Sequence, residues 1–301
     1  MNFDEIITRI IGLHMITAAI IGLSLNSFMF FHFSKLKKTS FYILCSSKCI
    51  ANCMSLEIYL GYVGPVNLLY TQIGSSSFNS YLNQALGFGL LIQGPIIQCM
   101  IAMNRFLVVW IFPVSTPRYG IQITTAALTI SWIFMAWFST LIGLPDYCRV
   151  TFNFGHLEFI NTLCNVEITW YLVYGLFGLA GSTNFLNILI AVKLFCSSKS
   201  KAMLSSEASQ SRRKLSIRFF FQSCFQDWII IMDFLNNLSS TKYCRSRVCV
   251  HVVIMGFDVM IYGMDGLVMY LFNRKASPSK RMGSRVKTTT SEFMKPNVSM
   301  L

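Results

Sequence analysis

Six ionisable side chains lie where the surrounding chain is almost wholly apolar: Lys48, Glu57, Asp227, Asp233, Asp258 and Asp265. A seventh, Arg105, is the single charge in the stretch 84–113, QALGFGLLIQGPIIQCMIAMNRFLVVWIFP. A charge in hydrocarbon is costly, so such residues face partner helices or water and mark functional positions. Three kinds of chemistry suit them. Opposite charges at one depth form an ion pair. Carboxylates near one end of a bundle line a ligand pocket. A chain of acids carries protons or ions. Arg105 has a second reading, as an anchor reaching the headgroups, because it lies only ~10 Å of helix from the end of its stretch.

Other chemistries find no support. Cys45, Cys49 and Cys53 recur every fourth residue and imitate a metal site, but no histidine is near them in sequence, so they read as small packing residues. No hydrolase nucleophile or metal-binding motif is present, and no cofactor is expected. A net charge of +13 raises nucleic acid as a partner. The basic residues, however, lie between apolar blocks and in the tail. None alternates with aromatics in a patch, so nucleic acid is excluded.

The elements that must position these residues follow from the apolar blocks. The chain is 54% hydrophobic and 12% charged, where a soluble domain carries about a quarter charged residues. Blocks this long predict helices that cross a bilayer. They fall at about 10–33, 41–66, 84–112, 121–144, 168–195, 217–239 and 248–272. The predicted fold class is an all-α membrane protein, a bundle of seven transmembrane helices. Residues 1–9 are a short polar lead with no cleavable signal. Residues 196–216 read as a soluble loop, and 273–301 as a disordered basic tail. Gly94 and Pro95 predict a kink in the third span. Lysine and arginine set the orientation. Nineteen of the 25 fall on one face, which puts the N-terminus outside and the tail in the cytosol.

Several motifs carry a resemblance. They are Asn104-Arg105-Phe106; Pro145-Asp146 with Cys148 and Cys164; Ser206-Glu207-Ala208-Ser209 leading to Arg212-Arg213; Gln226-Asp227-Trp228-Ile229; and Asp265-Gly266-Leu267-Val268-Met269. In this order and on these spans, over about residues 10–273, the chain resembles the class X nematode serpentine chemoreceptors, within the rhodopsin-like G-protein-coupled receptors. The resemblance implies a receptor in the plasma membrane of sensory-neuron cilia. It would bind a small molecule of the odorant or pheromone class and signal through a heterotrimeric G protein. It implies no enzyme activity. Asn104, Arg105 and Phe106 would serve coupling. Arg212, Arg213 and Arg218 would meet the G protein or, equally, anionic lipid. Glu57, Asp233 and Asp258 would belong to the outer pocket. A transporter or channel using the same charges is the competing reading, though no inverted halves stand out.

Departures from the broader rhodopsin-like pattern matter. Ser80 stands where a third-span cysteine is usual, the sixth span has no proline, and Asp265-Gly266 replaces Asn-Pro in the seventh. With no third-span partner, Cys148 and Cys164 are expected to pair with each other; free thiols, or pairing with Cys244 or Cys249, remain open. Lys48 and Asp265 lie at similar depths, ~12 and ~10 Å from the inner edge. The resemblance makes the first, second and seventh helices neighbours, which predicts a Lys48–Asp265 salt bridge flanked by Asn26, with Asp227 slightly higher. Pairing lets both keep their charge. The alternative has Lys48 reaching inward to the headgroups.

Overall fold

The computed structural model describes residues 3–111, 117–139, 148, 151–153, 158–160, 162–196 and 207–274. These form seven helical rods. The first is α1 (Phe3–Lys35). The second is α2 (Ser40–Ile58), continued through a π-turn at Tyr59–Val63 into α3 (Gly64–Leu69). The third is α4 (Ser76–Gln84), a π-turn at Ala85–Leu90, α5 (Leu91–Phe106) and a last π-turn at Leu107–Ile111. The fourth to seventh are α6 (Pro117–Ser139), α7 (Leu163–Cys196), α8 (Glu207–Tyr243) and α9 (Arg247–Asn273). A two-stranded antiparallel ribbon, β1 (Thr151–Asn153) with β2 (Glu158–Ile160), precedes α7.

Local chemistry sets several starts. Thr39, Ser75 and Ser246 are N-caps whose side chains accept from the amides of Tyr42, Phe78 and Cys249. Asp4 and Glu5 sit in the first turn of α1, and His32 and Lys35 in its last, each suited to the local helix dipole. Pro95 lies inside α5. The departure from regular geometry falls not at Gly94-Pro95 but over Ala85–Leu90, the π-turn that precedes α5. The second rod places its π-turn just before Pro65. Proline lacks an amide donor, and a widened turn nearby absorbs the lost bond.

Helix bounds differ from the sequence reading most in the sixth rod. Residues 207–216, read as part of a soluble loop, are helical and continuous with α8. Glutamate, alanine, lysine and arginine there are good helix formers, so the helix runs on past the apolar block that hydropathy detects. The tail from 275 onward, Pro145-Asp146 and Ser206 lie outside the described residues.

Among the described residues, five of the rods contain helices long and apolar enough to cross a membrane. The second and sixth are more polar; on α2, Ser47, Lys48, Asn52 and Ser55 are buried and Glu57 is exposed. On α8, Gln222, Ser223, Gln226, Asp227 and Asp233 are buried, while Phe221, Phe225, Trp228, Met232 and Leu235 are exposed. Such inside-out burial is what a lipid environment demands. The first rod packs on the second and seventh, the seventh on the sixth, the sixth on the fifth, and the fifth on the third. Two apolar clusters form the core. One gathers Met29, Phe41, Leu44, Ile97, Ile101 and Met269; the other gathers Met15, Ala19, Leu56, Tyr59, Val66 and Val259. A polar layer that includes Asn26, Lys48, Asn52 and Asp265 lies buried in the same bundle.

Candidate functional site

The polar layer is built from five rods. Lys48 is 2% exposed. Its Nζ lies 3.0 Å from Asp265 Oδ1 and donates to Gln98 Oε1 at 2.7 Å. Asp265 also accepts from Gln226 Nε2 at 2.9 Å, and its Oδ2 accepts from Asn52 Nδ2 at 2.7 Å. Asn52 Nδ2 also reaches Asn26 Oδ1 at 3.0 Å. Asn26 Nδ2 donates to the carbonyls of Gly22 and Tyr262. Both charges are therefore paired and hydrogen-bonded, the condition under which a charge tolerates burial. Gln98 continues the chain, its Nε2 donating to Ser223 Oγ at 2.9 Å.

Gly266 makes room for this layer. A Cβ there would stand 2.6 Å from Asn26 Nδ2. Gly266→Ala is expected to displace the Asn26 amide and lower stability by about 1–3 kcal/mol. Thermal melts of the purified protein test this. Asn26→Ser in the same chain should restore part of the loss, and a Gly266→Ala protein that melts normally counts against the packing described.

Asp227 sits at the edge of the layer. It accepts from Asn187 Nδ2 of α7 at 2.6 Å and borders a small crevice shared with Gln98. Gln226, one position earlier, is the side chain of α8 that reaches Asp265.

A cavity of about 480 Å³ opens above the pair, at the end of the bundle where α1 begins. Lys48, Asn52 and Asp265 form its floor; Asp233, Asn237 and Asp258 are on its wall. Asn237 Nδ2 reaches Asp233 Oδ1 at 3.1 Å and Asp258 Oδ1 at 3.4 Å. Glu57, expected in the pocket, is not there: it is exposed and outside the lining. The reason is helical phase. Nine residues after Lys48, at ~100° each, Glu57 points to the opposite face.

At the other end, Arg105 is 7% exposed and lies between rods rather than reaching outward. Its guanidinium lies 4.9 Å from the centre of the Phe41 ring and 5.4 Å from that of Phe219, and its Nη1 donates to the Phe219 carbonyl. Its Nε and Nη2 have no hydrogen-bond partner among the described residues. Asn104 is half-buried, and Phe106 stacks on Trp110. Arg218 lies over the Phe219 ring at 5.3 Å. Arg212 and Arg213 are in α8, and their side chains lie outside the described residues.

The structure joins Cys148 to Cys164 and also Cys244 to Cys249, at Cα separations of 5.1 and 5.4 Å. Cys45 and Cys49 are buried and unbridged, and Cys49 Sγ meets Met269 Sδ. Sequence reasoning missed Gln98 and Gln226 as partners of the pair, and left Asn52 outside it. Asn52 was findable, four residues after Lys48 on the same face. Gln98 shares a face with Arg105, two turns away.

Seven rods around a buried polar layer, with a cavity at one end and a buried arginine between rods at the other, define a multi-pass membrane protein of the rhodopsin-like receptor fold. The crystal structure of squid rhodopsin superposes with a TM-score of 0.74 at 11% identity, covering 90% of this chain and 84% of that one. Residues 16–273 match the family described as serpentine type 7TM GPCR chemoreceptor Srx, and the chain belongs to that family. No curated protein matches the sequence.

Proposed function

We propose that the chain takes a small molecule of the odorant or pheromone class into its cavity from outside the cell and activates a heterotrimeric G protein inside. The reading places it in the plasma membrane of sensory-neuron cilia, with the N-terminus outside. The observation that carries it is the continuity of contacts from the cavity floor to the opposite end. Lys48 holds Gln98, and Gln98 holds Ser223 of α8. One turn further along α8, the Phe219 carbonyl holds Arg105. A ligand that touches Asp233, Asp258 and the floor acts on α8 and α9 at once. Its binding shifts α8, and the two latches between the third and sixth rods loosen together. The inner end of the bundle then opens to the G protein.

Gly94 supports a direct test. It lines the cavity, and a Cβ there meets nothing within 4 Å. Gly94→Phe should fill part of the cavity without disturbing the bundle. In cells with a G-protein reporter, compounds that activate the parent receptor should lose about ten-fold or more in potency, at unchanged surface level. Normal potency in that variant would move the ligand elsewhere. A tag after Leu301 should be reached by antibody only after permeabilisation, because nineteen of the 25 basic residues then face the cytosol.

A further inference from the structure

The cavity carries more acid than its own residues neutralise. Lys48 is the one lysine or arginine among its described lining residues, and it is paired with Asp265 at the floor. Asp233 and Asp258 remain, hydrogen-bonded to each other, so that one shared proton still leaves one negative charge on the pair. One amide nitrogen, Asn237 Nδ2, reaches both. An amide carries no charge, so it holds the two carboxyls near each other without cancelling them. Carboxylates so close repel unless a cation or a proton comes between them. His251, also in the lining, has its Nε2 in a hydrogen bond with Asn67 Oδ1 at 2.7 Å.

A second feature of the same cavity points to an incoming polar group. Tyr62 is 5% exposed and lines the cavity, and its hydroxyl has no hydrogen-bond partner among the described residues. The rings of Tyr59 and Tyr262 also line it, and aromatic faces attract cations. The remaining lining is mostly aliphatic, and about 480 Å³ admits a ligand with a sizeable apolar body.

We infer that the cavity selects amines, holding a ligand's ammonium group between Asp233 and Asp258, near the Tyr59 and Tyr262 rings, with the apolar body against the aliphatic wall and toward Tyr62. This rests on the receptor reading above and names its ligand class. The ammonium supplies the missing charge and donates to both carboxylates. Charge-assisted bonds of this kind are roughly twice as strong as neutral ones, so an amine outcompetes an alcohol of the same skeleton.

The full-length chain in lipid nanodiscs, with no G protein present, provides the test. The probes are butylamine, octylamine and 2-phenylethylamine, each beside the alcohol of identical carbon skeleton, with binding read by titration. At least one amine should bind about ten-fold or more tightly than its alcohol, a difference of about 1.4 kcal/mol. In the Asp233→Asn, Asp258→Asn double variant the ratio should fall to about two-fold or less, through loss of amine affinity. Asparagine keeps the side-chain shape and an oxygen for Asn237, so this variant is expected to fold. The inference is overturned if no amine binds, if alcohols match amines, or if the preference survives in the double variant. Displacement of the amine by sodium chloride at the amine's own concentration would assign the site to an inorganic cation and overturn it too. Amine preference with a silent cellular reporter rejects the receptor reading alone. A reporter driven only by neutral compounds rejects the amine alone.

Discussion

Arg105→Ala should abolish the ligand response while the receptor remains at the cell surface. The guanidinium bridges the third rod to Phe41 of the second and Phe219 of the sixth. Removing it deletes a charge-assisted bond to a backbone carbonyl and two ring contacts, each of the latter worth roughly 0.5–2 kcal/mol. It also removes a buried cation whose Nε and Nη2 are without hydrogen-bond partners among the described residues. Relief of that desolvation cost offsets much of the lost contact energy. Surface level should therefore stay within about two-fold of the parent. Arg105→Lys keeps the charge but not the flat group that fits between two rings, and should signal only weakly. Full signalling by the alanine variant would reduce Arg105 to a packing element.

The second large effect belongs to the ion pair. Lys48→Ala and Asp265→Ala each strand a buried charge, at a cost of about 3–5 kcal/mol. Each is expected to lower surface expression sharply or to raise ligand-independent signalling. The exchange Lys48→Asp with Asp265→Lys keeps one charge of each sign, 3.0 Å apart in the parent. Asn52, Gln98 and Gln226 are amides, and a turned amide offers its oxygen where it offered its nitrogen, so the swapped charges still find partners. The double swap should recover at least half of the loss, a coupling of about 2 kcal/mol or more. Defects that simply add would remove the pair as a functional unit.

The seven rods were legible because hydrocarbon demands long apolar helices, and the class of fold followed from their number and from short motifs at their ends. Depth along a helix was legible as well, since ~1.5 Å per residue brings Lys48 and Asp265 to one level. Direction was harder. Glu57 looked equivalent to Asp233 by depth, and only its angle around the helix separates them. The neutral amides of Gln98 and Gln226 left no mark on a reading led by charge, although each bonds a charged residue directly. The Cys244–Cys249 bridge was missed for a related reason: the two were weighed only as partners of Cys148, across a loop, and not as a staple between consecutive helices. Residues 207–216 were read as loop because hydropathy registers the membrane's edge, not the helix's end.

The length of α8 has a mechanical consequence. Its 37 residues contain neither proline nor glycine and span about 55 Å, against roughly 30 Å of hydrocarbon. With no hinge of its own, this helix behaves as a lever whose fulcrum is the Gln226–Asp265 contact. A tilt of about 10° at that point carries a site 30 Å away through about 5 Å, one helical turn. The same tilt moves Asp233, about 10 Å from the fulcrum, by less than 2 Å, so the inner end of α8 at Glu207 travels nearly three times as far.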